Sequence, residues 1–113
     1  MQVVTIGIAS LEDVKRRASA AFKGKPQGAH IGFASHELLL KTLTPKRWEL
    51  LRAMAGQGPM GVRELARKVE RDVKSVHRDL HAMREAGLLE PAEGAKLLFP
   101  YDAIHVDFVL KAA

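Results

Sequence analysis

The residues best placed to do chemistry lie between Arg63 and Lys96. Lys74, Ser75 and Arg78 fall within one turn and a half of a stretch that reads as a helix from about Asp72 to Ala86. Val73, Val76, Leu80 and Met83 recur at i, i+3, i+7 and i+10 and share one side of that helix. At about 100° per residue the opposite side presents Lys74, Ser75 and Arg78, with His81 and Ala82 at its edges. Those side chains suit the edges of base pairs. Arginine can hold guanine through two hydrogen bonds, a hydroxyl can bond to base or phosphate, and alanine can touch a thymine methyl. Small residues at 75 and 82 keep the helix slim enough for a major groove. Around it stand cations of a second type of use: Arg63, Arg67, Lys68 and Arg71 near the preceding helix, and Lys96 further on. Such groups clamp phosphate and position a protein on a duplex without reading its sequence.

Other constellations fail on their residue types. His77 and His81 are one helical turn apart, but Arg78 stands where a zinc protease has its glutamate and no third ligand is evident. Gly56, Gly58 and Gly61 lead to no Gly-Lys-Ser/Thr, so they make no phosphate loop. His105 and Asp107 share the polar side of an alternating strand. Trp48 lies in an apolar stripe. The carboxylates are scattered. The expectation is a binding protein that is no enzyme and has no metal or cofactor.

Charge supports the same region. The 113-residue chain has a net charge of +5. Residues 41–84 hold eleven Lys/Arg against five Asp/Glu, a net +6, whereas residues 85–113 hold two against five, a net −3. A local basic excess attracts phosphate backbones. There is no cysteine, hence neither a disulfide nor a thiolate metal site. No apolar run approaches the ~20 residues of a membrane helix, and the first ten residues lack the basic start of a signal peptide. A cytoplasmic protein with no membrane partner is expected.

The elements that must position these residues can be read from local signals. Residues 2–8 are rich in Val, Ile and Thr, a strand signature. Ser10 suits a helix N-cap, with Asp13 in the first turn and Leu11, Val14, Ala18, Ala21 and Phe22 on one apolar side. A break at 24–28 follows, then a short strand at His30–Ala34 and a brief helix His36–Leu43 capped by Ser35. Thr44-Pro45 opens a helix to about Ala55, stopped by Gly56-Gln57-Gly58-Pro59. A helix from Val62 or Arg63 to Val69 and a turn at 70–72 lead into the groove-reading candidate, ended by Gly87 in the left-handed region. Leu88–Glu90 and Lys96–Phe99 read as a hairpin around 91–95. Ile104, Val106, Phe108 and Leu110 alternate with other residues as one buried side of a last strand.

Three helices and a hairpin within 44–100 give the order of a winged helix-turn-helix DNA-binding domain. The expected class is α+β, with a strand–helix extension at 1–43 and a C-terminal strand at 101–113. Free strand edges invite association, so the outer strands are expected to pair with each other, across a dimer or with a partner. A homodimer built by 1–43 and 101–113 is expected, since many such proteins read paired half-sites.

Residues 44–89 also resemble winged helix-turn-helix proteins of the MarR/ArsR type. The likeness rests on Arg63-Glu64-Leu65-Ala66-Arg67, Ser75-Val76-His77-Arg78-Asp79-Leu80, Met83 and Glu85-Ala86-Gly87-Leu88-Leu89. With Thr44–Leu51 and Arg71–Leu80 the chain is similar to a family of short prokaryotic DNA-binding regulators, some of them antitoxin-like. The resemblance implies the fold and double-stranded DNA as partner, for a regulator expected to repress transcription; its antitoxin-like members make neutralisation of a small toxin protein the alternative, and the resemblance assigns neither operator nor toxin. MarR-type repressors dimerise through long terminal helices, which this C-terminal strand does not match, so their dimer geometry and ligand pocket are not implied.

Overall fold

A computed structural model describes residues 1–9, 11–24, 28–110 and 112. The cap expected at Ser10 and the loop residues Lys25, Pro26 and Gln27 lie outside the described residues. The fold is mixed α+β. Strand β1 (Val3–Ile8), helix α1 (Leu11–Phe22) and strand β2 (Ala29–Phe33) come first, followed by helices α2 (His36–Thr42), α3 (Pro45–Met54), α4 (Val62–Lys68) and α5 (Val73–Glu85). A hairpin of β3 (Glu90–Ala92) and β4 (Lys96–Leu98) and a final strand β5 (Ala103–Asp107) complete it.

The two outer segments meet in one sheet of order β2-β1-β5, with both pairings parallel. The expected alternatives thus resolve to pairing within the chain. Two hydrogen bonds fix the start of the β1–β5 register: Gln2 N–H donates to the Asp102 side-chain Oδ2 at 2.7 Å, and Asp102 N–H donates to the Gln2 carbonyl at 2.8 Å. Gly7 is required further along. A Cβ there would stand 2.2 Å from the Asp107 carbonyl oxygen, closer than any side chain could tolerate.

One face of the sheet supplies Val4, Ile6 and Phe33 to a core shared with Leu39, Leu50, Leu51, Met54, Leu65, Val76, Leu80, Met83 and Phe99. Registered neighbours on parallel strands share a face. The other face therefore carries His30, Thr5 and His105 in one row and Gly32, Gly7 and Asp107 in the next. Helix α1 lies over this second face across an open cleft of about 480 Å³ lined in part by Thr5, Asp13, Arg17 and His30.

Local chemistry accounts for the helix ends. Ser35 Oγ accepts from Leu38 N–H, and Thr44 Oγ1 accepts from Arg47 N–H with Pro45 at the first helical position. Asp72 caps α5 by accepting from Ser75 N–H at 2.8 Å. At the other end Gly87 takes φ 84°. Leu88 N–H donates to the Met83 carbonyl and Gly87 N–H to the Arg84 carbonyl, a Schellman arrangement with Leu88 and Met83 both buried.

Four expectations are corrected. The last strand ends at Asp107, and Val106, Phe108 and Leu110 are exposed, because β5 is a sheet edge that runs beyond the core. No residue of α1 is buried, so its apolar side is not a core side. Val73 stands in the first turn of α5 outside the core and is exposed. The first hairpin strand begins at Glu90; Leu88 and Leu89 are instead buried beneath it. The sequence reading also missed a contribution from the α3–α4 loop. Met60 and Leu97 exchange backbone hydrogen bonds at 2.9 Å in both directions, a single antiparallel bridge that ties that loop to the hairpin.

Candidate nucleic-acid interface

Helix α5 separates its two sides cleanly. Val76, Leu80 and Met83 are fully buried, and Lys74, Arg78 and His81 are exposed on the opposite side. At about 100° per residue Lys74 and Arg78 stand within ~30° of the direction pointing away from the core, and His81 about 45° to one side of it. Glu85 continues the same line, and His81 reaches it at 3.8 Å. His77 and His81 stack with ring centroids 6.5 Å apart. Among the described residues no group of three His, Cys, Asp or Glu could hold a metal ion.

Ser75 belongs to a different contact. It sits half-buried on the flank, where its Oγ accepts from Arg71 Nη2 at 2.6 Å. Its own O–H still has a proton to donate. The same Arg71 nitrogen donates to Asp79 Oδ2 at 2.6 Å, and Arg47 Nε donates to Asp79 Oδ1 at 3.1 Å. Arg47 also donates from Nη1 to the Thr42 carbonyl at 2.8 Å. Asp79 thus staples α5 to the N-terminal end of α3 and to the turn before α5. Burial by itself raises the pKa of this carboxyl. The hydrogen bonds and charges of Arg71 and Arg47 outweigh that and hold it below the usual carboxylate value.

Two cations expected as phosphate clamps therefore have structural work. Arg71 has a side chain only 12% exposed, and its guanidinium is held by Asp79 and Ser75. Its Nη1 is enclosed without a hydrogen-bond partner among the described residues. Lys68 donates from Nζ to the Ala53 carbonyl at 3.1 Å and so satisfies one of the carbonyls left open at the end of α3. Arg63 and Arg67 remain exposed. With Arg71, Glu70 and Val73 they line a shallow depression of about 460 Å³ between α4 and the start of α5.

Lys96 lies on the other flank. It opens β4 and shares a groove of about 260 Å³ with His77, His81 and Arg84 of α5. Arg84 was not singled out from the sequence, and His77 only as one of a rejected pair of metal ligands. They sit at the edge of the polar side, and only the position of the hairpin makes that edge a groove wall. The hairpin tip, Glu93–Ala95, turns through Gly94 at φ 76° and Ala95 at φ 58° and exposes the Glu93 carboxylate. From flank to flank the order is Arg63 and Arg67, then Lys74 and Arg78, then His81 and Lys96.

The model of the HVO_A0114 family matches residues 42–106. The chain belongs to the HVO_A0114 family. No curated protein matches it. The matched span runs from the end of α2 into β5, so it holds α3, α4, α5, the hairpin and every candidate contact residue. Strand β1, helix α1 and strand β2 lie outside the match. The interface geometry is thus contained within the family's own segment, and two of the three strands of the parallel sheet are not.

Proposed function

We propose that residues 44–100 form a winged helix-turn-helix and that this HVO_A0114-family chain is a sequence-specific regulator of transcription, acting as a repressor on double-stranded DNA in the cytoplasm. The observation that carries the proposal is the outward set of Lys74, Arg78 and His81 on a helix that buries Val76, Leu80 and Met83 on its other side. Cations flank it on both sides, Arg63 and Arg67 from α4 and Lys96 from the hairpin. In this reading α5 enters the major groove. Arg78 reads a base edge, and Lys74 together with the N-terminal turn of α5 meets phosphate. Arg63, Arg67 and Lys96 hold the backbone on either side. Lys68 and Arg71 act indirectly, by fixing α3 and α5.

The test is selection from a random pool of duplexes, repeated with Arg78→Ala. The wild-type chain is expected to enrich a defined site. Arg78→Ala should lose preference at one position of it by about 5- to 150-fold, the value of a guanine contact of about 1–3 kcal/mol. Affinity should also fall steeply with salt, because each neutralised phosphate releases counterions. A pool that shows no enrichment, or binding indifferent to salt, would refute the proposal.

A second reading, an antitoxin that neutralises a small toxin protein and represses its own operon, draws on the apolar residues exposed outside 44–100. A distinct small protein that co-purifies with the chain in a fixed ratio would favour it.

A further inference from the structure

Helix α1 presents its polar side to the sheet. Its half-buried residues, Asp13, Arg17 and Ala20, recur at i, i+4 and i+7, and Asp13 and Arg17 line the cleft. The sheet answers with a polar face of its own, Thr5 and His30 in one row and Asp107 in the next. A helix that crosses between parallel strands ordinarily packs an apolar side on the sheet and fills the space between them. Here two polar surfaces stand apart. The space of about 480 Å³ between them is within the ~300–1,000 Å³ of small-molecule sites.

The charges in this cleft are ordered. Strands β1 and β2 are parallel and α1 joins them, so the helix runs back against the strand direction. Asp13, in its first turn, therefore lies toward the C-terminal ends of the strands, and Arg17 lies about 6 Å back along them. Asp107 belongs to the row nearer the strand ends, with Gly7 and Gly32, and Thr5 and His30 to the row before it. Carboxylates thus mark one end, and Arg17 with the Thr5 hydroxyl marks the other. Asp13 is held by Arg16. Arg17 and Asp107 have no side-chain hydrogen bond or ion pair among the described residues, either with each other or with another group. Two opposite charges therefore line one cleft without meeting. The wall beside Asp107 is apolar: Phe108 and Val109 line the same space, and both are exposed.

We propose that this cleft binds a free α-amino acid with an apolar side chain. Its carboxylate meets the Arg17 guanidinium, whose planar fork suits that group, and its ammonium meets the Asp107 carboxylate. The Thr5 hydroxyl is a further donor for the ligand's carboxylate. The ligand's side chain covers Phe108 and Val109. One molecule thus supplies both missing counter-charges and the apolar cover. A simple anion would leave Asp107 unpaired, and a simple cation would leave Arg17 so. The site does not rest on DNA binding, and its test contains no DNA.

Calorimetric titration of the full wild-type chain at pH 7 with L-leucine, L-valine and L-phenylalanine tests it. At least one of the three should bind, one molecule per chain, with a Kd of about 1 mM or tighter, as two charge-assisted contacts support. The N-acetyl derivative and the amide of that amino acid each lack one charge. Both should bind at least about ten-fold more weakly, the loss of one charge-assisted hydrogen bond. Arg17→Met and Asp107→Asn should each cause the same loss with an unchanged circular dichroism spectrum, since neither side chain belongs to the core. Lys15→Met removes a cation of the same helix outside the cleft and should leave the affinity as it is. Should a cleft variant lose its spectrum, the two derivatives still decide. Failure of all three amino acids to bind, or equal binding of the N-acetyl derivative or the amide, would overturn the proposal. So would wild-type affinity in folded Arg17→Met or Asp107→Asn, or an equal loss in Lys15→Met.

Discussion

Replacing Asp79 with alanine should loosen α5 without altering its outward side. The carboxylate accepts from Arg71 Nη2 at 2.6 Å and from Arg47 Nε at 3.1 Å, and its side chain is 15% exposed. Removing it leaves two guanidinium groups near one another, that of Arg71 almost enclosed. A fully exposed ion pair would be worth about 0–1 kcal/mol. Removing one member of a buried pair costs about 3–5 kcal/mol. This network lies between the two and nearer the second, so a loss of about 2–3 kcal/mol is expected. For a domain of this size about 4 °C corresponds to each kcal/mol, which puts Tm about 10 °C lower. Thermal unfolding followed by circular dichroism at pH 7 measures it directly. The pH dependence has a definite sign. Asp79 has a depressed pKa in the folded chain. The linked stabilisation is therefore complete above the unfolded-state value of about 3.9 and is lost as pH falls through the lower, folded value. The gap between wild type and variant should stay constant from pH 8 to about pH 5 and narrow only below about pH 4. A Tm within about 2 °C of wild type, or a gap that closes near neutral pH, would refute the staple.

Two other substitutions probe the same region. Glu70 holds φ 55° with a side chain that disfavours it; Glu70→Gly should raise stability by about 0.5 kcal/mol, the relief of left-handed strain less the added freedom of the unfolded chain, read as a Tm gain of about 2 °C. The same change removes a carboxylate from the depression lined by Arg63 and Arg67, so affinity for duplexes of any sequence should rise in a filter-binding or anisotropy assay. Lys96→Ala should weaken all duplexes alike and reduce the slope of log K against log salt by about 1, with base preference unchanged.

The sequence by itself determined the helices and their ends. Thr44-Pro45, Asp72, Gly87 and the spacing of Val76, Leu80 and Met83 act on residues at most a few positions away, and the structure places them as that local chemistry requires. It also determined which side of α5 is polar, since helical periodicity is a property of the segment alone. Only tertiary structure decided what those polar groups hold. Lys68 and Arg71 read as free cations, yet their partners are Ala53, fifteen positions away, and Asp79, eight away and shared with Arg47 from another helix. The hydrogen bonds of Met60 to Leu97 and of Gln2 to Asp102 join strands with no local signature of pairing. Helix α1 shows the limit most plainly. Periodicity revealed an apolar stripe but not which way it faces, because that depends on the polar cleft opposite, which only the folded chain forms.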